Sequence, residues 1–171
     1  YKRQRMRGGV DKAIKRVPRK LKQHPGLVYE RLRWRRKKDK NIRARELLKS
    51  PPKDLGRPLR WLHEREILAR RALDDGEISE AYLIIRDHGL KKVYPSGYVA
   101  AEWFAGWIAL RFLEDKAIAF QHFKDAFSVS KFPISKARCA YWLGRAAESQ
   151  KKAGLAQFWY EAAFKYLSLI H

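Results

Sequence analysis

The hydrophobic and polar positions along this chain predict helices and no sheet, because no stretch alternates with a period of two. The segment YVAAEWFAGWIALRFL, residues 98–113, carries only two charges, Glu102 and Arg111, nine residues apart. At about 100° per residue, this separation places the charges on opposite sides of a helix. A surface helix keeps its polar residues on one face. This helix is therefore predicted to pack between other helices.

The same segment is too short to cross a membrane. A helix of this length spans about 24 Å, whereas the hydrocarbon core of a bilayer is about 30 Å thick. Since the sequence contains no longer apolar run, no transmembrane segment is predicted.

A period of 37 to 38 residues divides most of the chain into four similar units. Ala44, Ala81, Ala119 and Ala156 each precede a large apolar residue by four positions. Self-similarity on this scale is typical of helical repeat proteins. Turn residues and prolines divide each unit into two predicted helices. The first helices span about 26–37, 58–74, 98–113 and 134–151, and the second helices about 41–49, 77–88, 116–129 and 155–169, with the breaks within pairs at 39–41, 74–76, 114–115 and Gly154.

The last predicted helix indicates how these units pack, because it has two apolar stripes. One stripe contains Phe158 and Trp159, and the other contains Tyr160 and Phe164. A helix with two apolar faces must be covered from two directions. The predicted fold is therefore all-α, an α-solenoid of about four tetratricopeptide-like helical hairpins. Gly106 is expected where another backbone approaches closely, since glycine in a helix costs about 1 kcal/mol.

Positive charge is concentrated in the first third of the chain. The sequence has 39 Lys and Arg against 18 Asp and Glu, a net charge of +21, and residues 1–50 hold 20 of the basic and 4 of the acidic residues. We predict a basic, partly disordered leader at residues 1–22, followed by the repeat domain at 23–171. The single Cys139 excludes an intramolecular disulfide and is predicted to be a small buried residue.

The densest basic run is the strongest candidate for a binding surface. It is either a solvated helix face or a contact for nucleic acid, anionic cell-wall polymer or membrane headgroups, which charge alone does not distinguish. No nucleic-acid-binding module is recognisable, so nucleic acid is not the favoured partner. Trp34 and Trp142 either stack on a sugar or base, or pack beneath a neighbouring repeat. The candidate polyanion or glycan contacts are Arg31, Arg33, Arg35, Arg36, Lys37, Lys38 and Trp142.

No catalytic residue, cofactor site or metal site is predicted. The segment from His63 to Ile67 begins like a zinc-protease helix, but isoleucine stands where the second histidine ligand is needed. One imidazole cannot build a catalytic zinc site. The other histidines, His24, His88, His122 and His171, show no ligand spacing, and there is no glycine-rich phosphate loop.

Five segments, in their order along the chain, resemble the superhelical domain of soluble lytic murein transglycosylases. The resemblance covers about residues 24–167 and consists mostly of packing residues. The segments are HPGLVYERLRWRRK (24–37), WLHEREILARRALDDGEISEAYLIIRDHGL (61–90), AEWFAGWIALRFL (101–113), PISKARCAYWLGRAAES (133–149) and FWYEAAFKY (158–166).

This resemblance implies a periplasmic protein of the peptidoglycan-cleaving machinery, with a signal peptide upstream of this chain. The family cleaves the β-1,4 bond between N-acetylmuramic acid and N-acetylglucosamine and forms a 1,6-anhydromuramoyl end. A lysozyme-like domain that follows the superhelical domain does this work, with one glutamate in a Glu-Ser motif. The Glu-Ser pair here, Glu148-Ser149, precedes two lysines and is interpreted as a solvated helix end, since a catalytic acid needs an apolar cleft.

We therefore expect a non-catalytic superhelical domain that positions or scaffolds peptidoglycan glycan strands, is inactive alone, and has other cell-wall proteins as further partners. Two alternatives remain open. One is a tetratricopeptide-like protein-interaction module with an acidic partner. The other is a basic, helical nucleic-acid-binding protein.

Overall fold

The computed structural model describes residues 10–169, and in this range it contains nine α-helices and no strand. From α2 onward the helices form four consecutive pairs, so the predicted all-α architecture of helical hairpins is confirmed. Each predicted helix is present with its ends within three residues of the expected positions. The helices are α1 (Val10–Lys15), α2 (Pro25–Lys37), α3 (Asn41–Lys49), α4 (Pro58–Asp74), α5 (Ile78–Arg86), α6 (Pro95–Arg111), α7 (Lys116–Val129), α8 (Pro133–Ser149) and α9 (Ala153–Ser168), with a 3-10 turn at Arg19–Leu21.

Proline starts the first helix of every pair. Pro25, Pro58, Pro95 and Pro133 each occupy the first position of their helix. Proline suits this position because its fixed φ is helical and its missing N–H would have no partner within the helix. These prolines therefore set the boundary between one repeat and the next.

The turns within the pairs share one backbone feature. Asp39, Gly76, Glu114 and Lys151 have positive φ angles of 53°, 79°, 56° and 60°, and they are spaced by the repeat period. The break predicted at Gly154 is wrong, because this glycine lies inside α9 and the turn is made by Lys151. Three of the four turns thus place a residue with a side chain in the left-handed region, which favours glycine.

Within the last two pairs, a glycine of the first helix receives a ring from the second helix. A β-carbon on Gly106 would lie 2.9 Å from the Phe123 ring, and one on Gly144 would lie 2.6 Å from the Tyr160 ring. The expectation that another backbone approaches Gly106 is therefore wrong, because the neighbour is an aromatic side chain. The absence of a side chain lets the two helices pack closely around the ring.

Successive pairs also repeat one ring contact. The ring centroids of Tyr82 in α5 and His122 in α7 are 5.8 Å apart, and those of Phe120 in α7 and Trp159 in α9 are 6.5 Å apart. These two contacts occupy equivalent positions one repeat apart. Because each pair covers a face of the next, one core runs from α2 to α8.

Ion pairs join the first and second repeats. Glu64 of α4 is 1% exposed, and its carboxylate binds Arg36 of α2 in two places, one at 2.9 Å. Arg45 of α3 is equally buried and binds Asp75 as well as Glu80, the latter at 2.9 Å. Removing one partner of such a buried pair leaves an uncompensated charge, which is strongly destabilising. These contacts therefore fix the first repeat against the second.

A buried cation, Arg65, lies where two second helices end. Its guanidinium donates to the carbonyl of Ile84 at 2.7 Å and to that of Leu48 at 3.5 Å. The last carbonyls of a helix have no partner within the helix and carry partial negative charge. Burial lowers the pKa of Arg65 to about 10, so the side chain stays charged at neutral pH and satisfies both helix ends.

The described part of the predicted leader contains α1 and the 3-10 turn. Residues 1–9 and 170–171 lie outside the described residues. The leader boundary at residue 22 therefore stays a prediction. Cys139 is buried as predicted, and burial raises the pKa of its thiol to about 11. From residue 10 to residue 169, no helix is long and apolar enough to cross a bilayer.

Candidate binding face on the first helices

Equivalent positions of the four first helices place arginine and tryptophan side chains in one row. Arg33, Arg70, Trp107 and Arg145 lie in α2, α4, α6 and α8 and are separated by 37, 37 and 38 residues. Residues at equivalent positions of stacked repeats face the same side. Arg70 and Arg145 are exposed, and the other two are partly exposed. We refer to these four residues as the arginine–tryptophan row.

A second row lies one helical turn earlier on the same helices. It consists of Tyr29, Glu66, Trp103 and Tyr141, again with the repeat spacing. Tyr141 is 43% exposed, and the other three are partly buried. Three of its four members are aromatic, so this face offers flat apolar surface beside the arginines.

The two rows meet in a cluster of aromatic rings from α6 and α8. The indoles of Trp103 and Trp107 are 6.5 Å apart with their planes 15° from parallel, and Trp103 meets Trp142 edge-on at 6.0 Å. Trp142 in turn stacks on Phe123 at 5.7 Å. Arg138 places its guanidinium 4.9 Å above the Trp103 ring. Trp142 thus packs between rings of neighbouring helices, and a sugar contact there stays a prediction.

The arginines of this face differ in their partners. The Arg145 guanidinium lies 3.2 Å from the Glu148 carboxylate, and that of Arg33 lies 3.9 Å from Glu30. Arg70 stacks 4.8 Å above the Phe104 ring, as Arg138 does above Trp103. Among the residues that the structure describes, neither Arg70 nor Arg138 has a carboxylate within 4.0 Å. These two guanidinium groups are therefore the best placed to meet an external carboxylate.

The structure divides the basic run that was predicted as a binding surface between interior and exterior. Arg35 is 6% exposed and donates to the carbonyl of Arg43, and Arg36 binds Glu64. The run cannot form one surface, because successive residues of a helix point about 100° apart. Arg31 and Arg33 are partly exposed, and Lys37 and Lys38 are exposed. Contact of these outer residues with a polyanion or glycan stays a prediction.

Trp34, the other tryptophan with two predicted roles, is packed. Its side chain is 8% exposed, and the ammonium group of Lys40 lies 5.0 Å above its ring. Little of the indole is left for a sugar or base to stack on. The packing role is therefore favoured for this residue.

A buried carboxylate in α6 organises a network that the sequence analysis missed. Glu102 Oε1 lies 3.2 Å from His88 Nε2, and Oε2 lies 2.5 Å from His122 Nδ1. The other nitrogen of His122 is 2.9 Å from the Tyr82 hydroxyl. The Leu90 backbone N–H donates to His88 Nδ1, so His88 Nε2 carries the proton and donates to Glu102. No regular spacing in the sequence indicates that these four residues meet, although Glu102 stands out as a charge in an apolar helix.

The chemistry of this network is structural. Burial by itself raises the pKa of Glu102, but hydrogen bonds from His122 and His88 outweigh it and lower the pKa to about 2. The order carboxylate, imidazole, hydroxyl also occurs in nucleophilic triads. Here Tyr82 is 8% exposed, and burial raises the pKa of its hydroxyl, which opposes nucleophilic use. The network therefore serves to hold α5, α6 and α7 together.

Glu148, the glutamate of the Glu-Ser pair, lies at the exposed end of α8. It accepts a hydrogen bond from the Tyr160 hydroxyl at 2.8 Å and pairs with Arg145, and its side chain is 60% exposed. A general acid instead needs an apolar cleft that raises its pKa. The structure agrees with a solvated helix end. In the described range, no three His, Cys, Asp or Glu side chains are grouped so as to hold a metal ion.

Two solved structures share this arrangement of helices. TPR-like (tetratricopeptide-like) repeats from a kinesin light chain-type protein of Podosopora anserina match with a TM-score of 0.57 and 15% identity, over 99% of this chain and 92% of that chain. This chain has a TPR-like repeat fold. MamA matches with a TM-score of 0.56 and 16% identity, over 97% and 93% of the two chains. No family model and no curated sequence matches. The similarity to these solved structures concerns the fold alone.

Proposed function

We propose that this chain is a protein-interaction scaffold that binds an extended, acidic segment of a partner along its first helices. The observation that carries the proposal is the arginine–tryptophan row, which places one residue per repeat on one side. Stacked repeats create extended surfaces of this kind, and each repeat adds one contact. An extended segment matches such a row better than a compact ligand does.

The chemistry of the face selects carboxylates beside apolar groups. The guanidinium groups of Arg70 and Arg138 lie over aromatic rings, which restricts their position before a ligand arrives. A guanidinium fork binds a carboxylate with two parallel hydrogen bonds. Arg145 pairs with exposed Glu148, and an exposed ion pair is worth about 1 kcal/mol or less, so an incoming carboxylate can replace it.

The charge of the whole chain supports the same partner. The net charge of +21 attracts acidic molecules over a distance and raises their rate of association. This long-range attraction does not discriminate between acidic partners. Specificity must therefore come from the spacing of the arginines and aromatic rings on the face.

We expect a fluorescently labelled peptide of alternating glutamate and tryptophan to bind the chain. Arg70→Gln together with Arg138→Gln should weaken binding about tenfold, which corresponds to about 1.4 kcal/mol. The control is Lys151→Gln with Lys152→Gln, which removes the same charge at the exposed turn before α9. Fluorescence anisotropy at physiological salt measures the affinities. Equal weakening by both pairs would show that only general charge attraction is at work.

We also propose, as a second function, that the scaffold belongs to a periplasmic peptidoglycan lytic transglycosylase and holds glycan strands. The observation that favours it is the joint order of the five resembling segments. They fall on α2, α4 to α6, α8 and α9, so the resemblance spans all four repeats. Sugar rings stack on indoles, and the carboxylates of peptidoglycan suit guanidinium groups. The face formed by Trp103, Trp107, Arg70 and Arg138 offers both.

For this second function we expect the chain to bind purified sacculi and to release no anhydromuropeptides from them. Trp107→Leu should weaken sacculus binding at least about threefold, since it removes one ring from the face. Lys151→Gln with Lys152→Gln should not, because these lysines lie at the exposed turn before α9. A co-sedimentation assay and chromatography of the soluble products measure the two quantities.

Three results would contradict the second proposal. One is sacculus binding that only the lysine variant weakens. Another is release of anhydromuropeptides that Glu148→Gln abolishes. The third is tighter binding to an unrelated duplex DNA than to sacculi at physiological salt, which would favour a nucleic-acid-binding protein.

A further inference from the structure

We propose that the outer face of α9 is a docking surface for a helical hairpin built like α8 and α9, stacked in continuation of the repeats. The face is formed by Phe164 and Leu167. Phe164 is 74% exposed and Leu167 is 49% exposed. This surface is separate from the arginine–tryptophan row, so the proposal does not depend on the proposed function.

The preceding repeat shows what covers this face. Phe127 of α7 is equivalent to Phe164, since the two are one period of 37 residues apart. The Phe127 ring lies 5.2 Å from Trp159 and 5.7 Å from Tyr166, both in α9. The ammonium group of Lys136 in α8 lies 5.4 Å from the same ring. The hairpin of α8 and α9 therefore covers Phe127 on α7, whereas the equivalent Phe164 on α9 is open to solvent.

A second position gives the same result. Ser130, directly after α7, is 6% exposed, and its equivalent after one period is Leu167, which is 49% exposed. α9 thus carries a larger and more apolar side chain where the preceding repeat has a small buried one. An apolar outer face of this kind suits an interface with a further hairpin.

The covering hairpin on α7 also defines the chemistry of the occupant. Its first helix, α8, brings the small Cys139 against Ala126 and the charged Lys136 against Phe127. Its second helix brings the aromatic rings of Trp159 and Tyr166. The occupant of the α9 face is accordingly a hairpin with small apolar side chains and a lysine on its first helix, and aromatic side chains on its second.

A second copy of this chain does not fit this description when stacked end to end. By the repeat period, Leu27 and Trp34 of α2 are equivalent to Glu64 and Arg71 of α4, which lie on the side that packs towards the preceding pair. Leu27 and Trp34 line a common cavity with Val10, Ala13 and Ile14, so α1 stands on this side of α2. The α9 helix of another copy would have to displace α1 to reach this side of α2.

The test is to extend the full chain by one hairpin. Residues 133–169 are added directly after His171, which leaves three residues between α9 and the added helix, as between α7 and α8. We expect the extended protein to remain monomeric and its Tm to rise by about 5 °C or more, since stacked repeats stabilise one another. Phe164→Glu should remove this gain.

The matched control is Phe158→Glu on the same helix. Phe158 is 58% exposed, and its equivalents Gln121 and Leu83 stay exposed although another hairpin stacks on their repeats. This variant should therefore keep the gain in Tm. Each substitution is also made in the original chain, so that its own effect on Tm can be subtracted.

Two kinds of result would overturn the proposal. The first is an extended protein without a higher Tm, or with a gain that survives Phe164→Glu. The second is a dimer of the original chain, measured by sedimentation, that Phe164→Glu converts to a monomer, because the occupant would then be a second copy.

Discussion

Replacing Gly106 with valine is expected to lower the free energy of unfolding by about 3 kcal/mol, the upper end of the usual cost of overpacking. A β-carbon at this position would lie 2.9 Å from the Phe123 ring and 3.1 Å from the β-carbon of His122. Phe123 is fully buried, so its ring has no free space to move into. A shift of α7 would also disturb the hydrogen bond between His122 and Glu102.

The control for this substitution is Gly154→Ala. A β-carbon on Gly154 has no neighbour within 4 Å, and the residue lies in the first turn of α9. Alanine should stabilise the protein there by about 0.5–1 kcal/mol, because it loses less backbone entropy than glycine on folding. Urea denaturation measures both changes. A Gly106→Val protein as stable as the wild type would contradict the close packing of α6 on α7.

The wild-type protein is expected to lose about 3 kcal/mol of stability through Glu102 when the pH falls from about 5 to 2. The pKa of this carboxyl is about 2 in the folded protein, against an ordinary value of 4.5. The unfolded chain therefore binds more protons in this window, so stability rises with pH. The contribution is complete above the unfolded pKa and is lost as pH falls through the folded one.

Glu102→Gln isolates this contribution from that of the other carboxylates. The variant keeps the size of the side chain but does not titrate. Between pH 5 and pH 2, its free energy of unfolding should therefore fall by about 3 kcal/mol less than that of the wild type. Urea denaturation at a series of pH values gives the difference between the two proteins. Parallel pH profiles would show that His88 and His122 do not stabilise the carboxylate as described.

The fold could be predicted from the sequence because its signals are local and repeated. Prolines at positions 58, 95 and 133 start helices, and the alanines spaced by 37 to 38 residues reveal the stacking. The sequence favours a turn at Gly154 over one at Lys151, since glycine is the usual turn residue and a lysine with positive φ gives no sequence signal.

The binding face could be predicted only in part, because burial depends on residues far along the chain. Arg35 and Arg36 look like surface residues in the sequence, but Arg36 finds a buried partner 28 residues away. The row from Arg33 to Arg145 does have a signal in the sequence. The 37-to-38-residue period of the alanines in the second helices also relates these four residues of the first helices.

The network around Glu102 could not be predicted from the sequence. His88 lies 14 residues before Glu102 and His122 lies 20 residues after it, on a loop and on a neighbouring helix. Neither separation is a repeat spacing, and the three residues do not share a helix. Only the packing of α5, α6 and α7 brings these side chains to one carboxylate.

The ion pairs between the first two repeats couple the opening of these repeats. Arg36 and Arg45 belong to the first repeat, but their carboxylate partners Glu64, Asp75 and Glu80 belong to the second. Opening the first repeat by itself breaks all of these pairs at once, so they raise the free energy of that local unfolding. The backbone amides of α2 and α3 are consequently expected to exchange with solvent more slowly than those of an end helix held by apolar contacts alone.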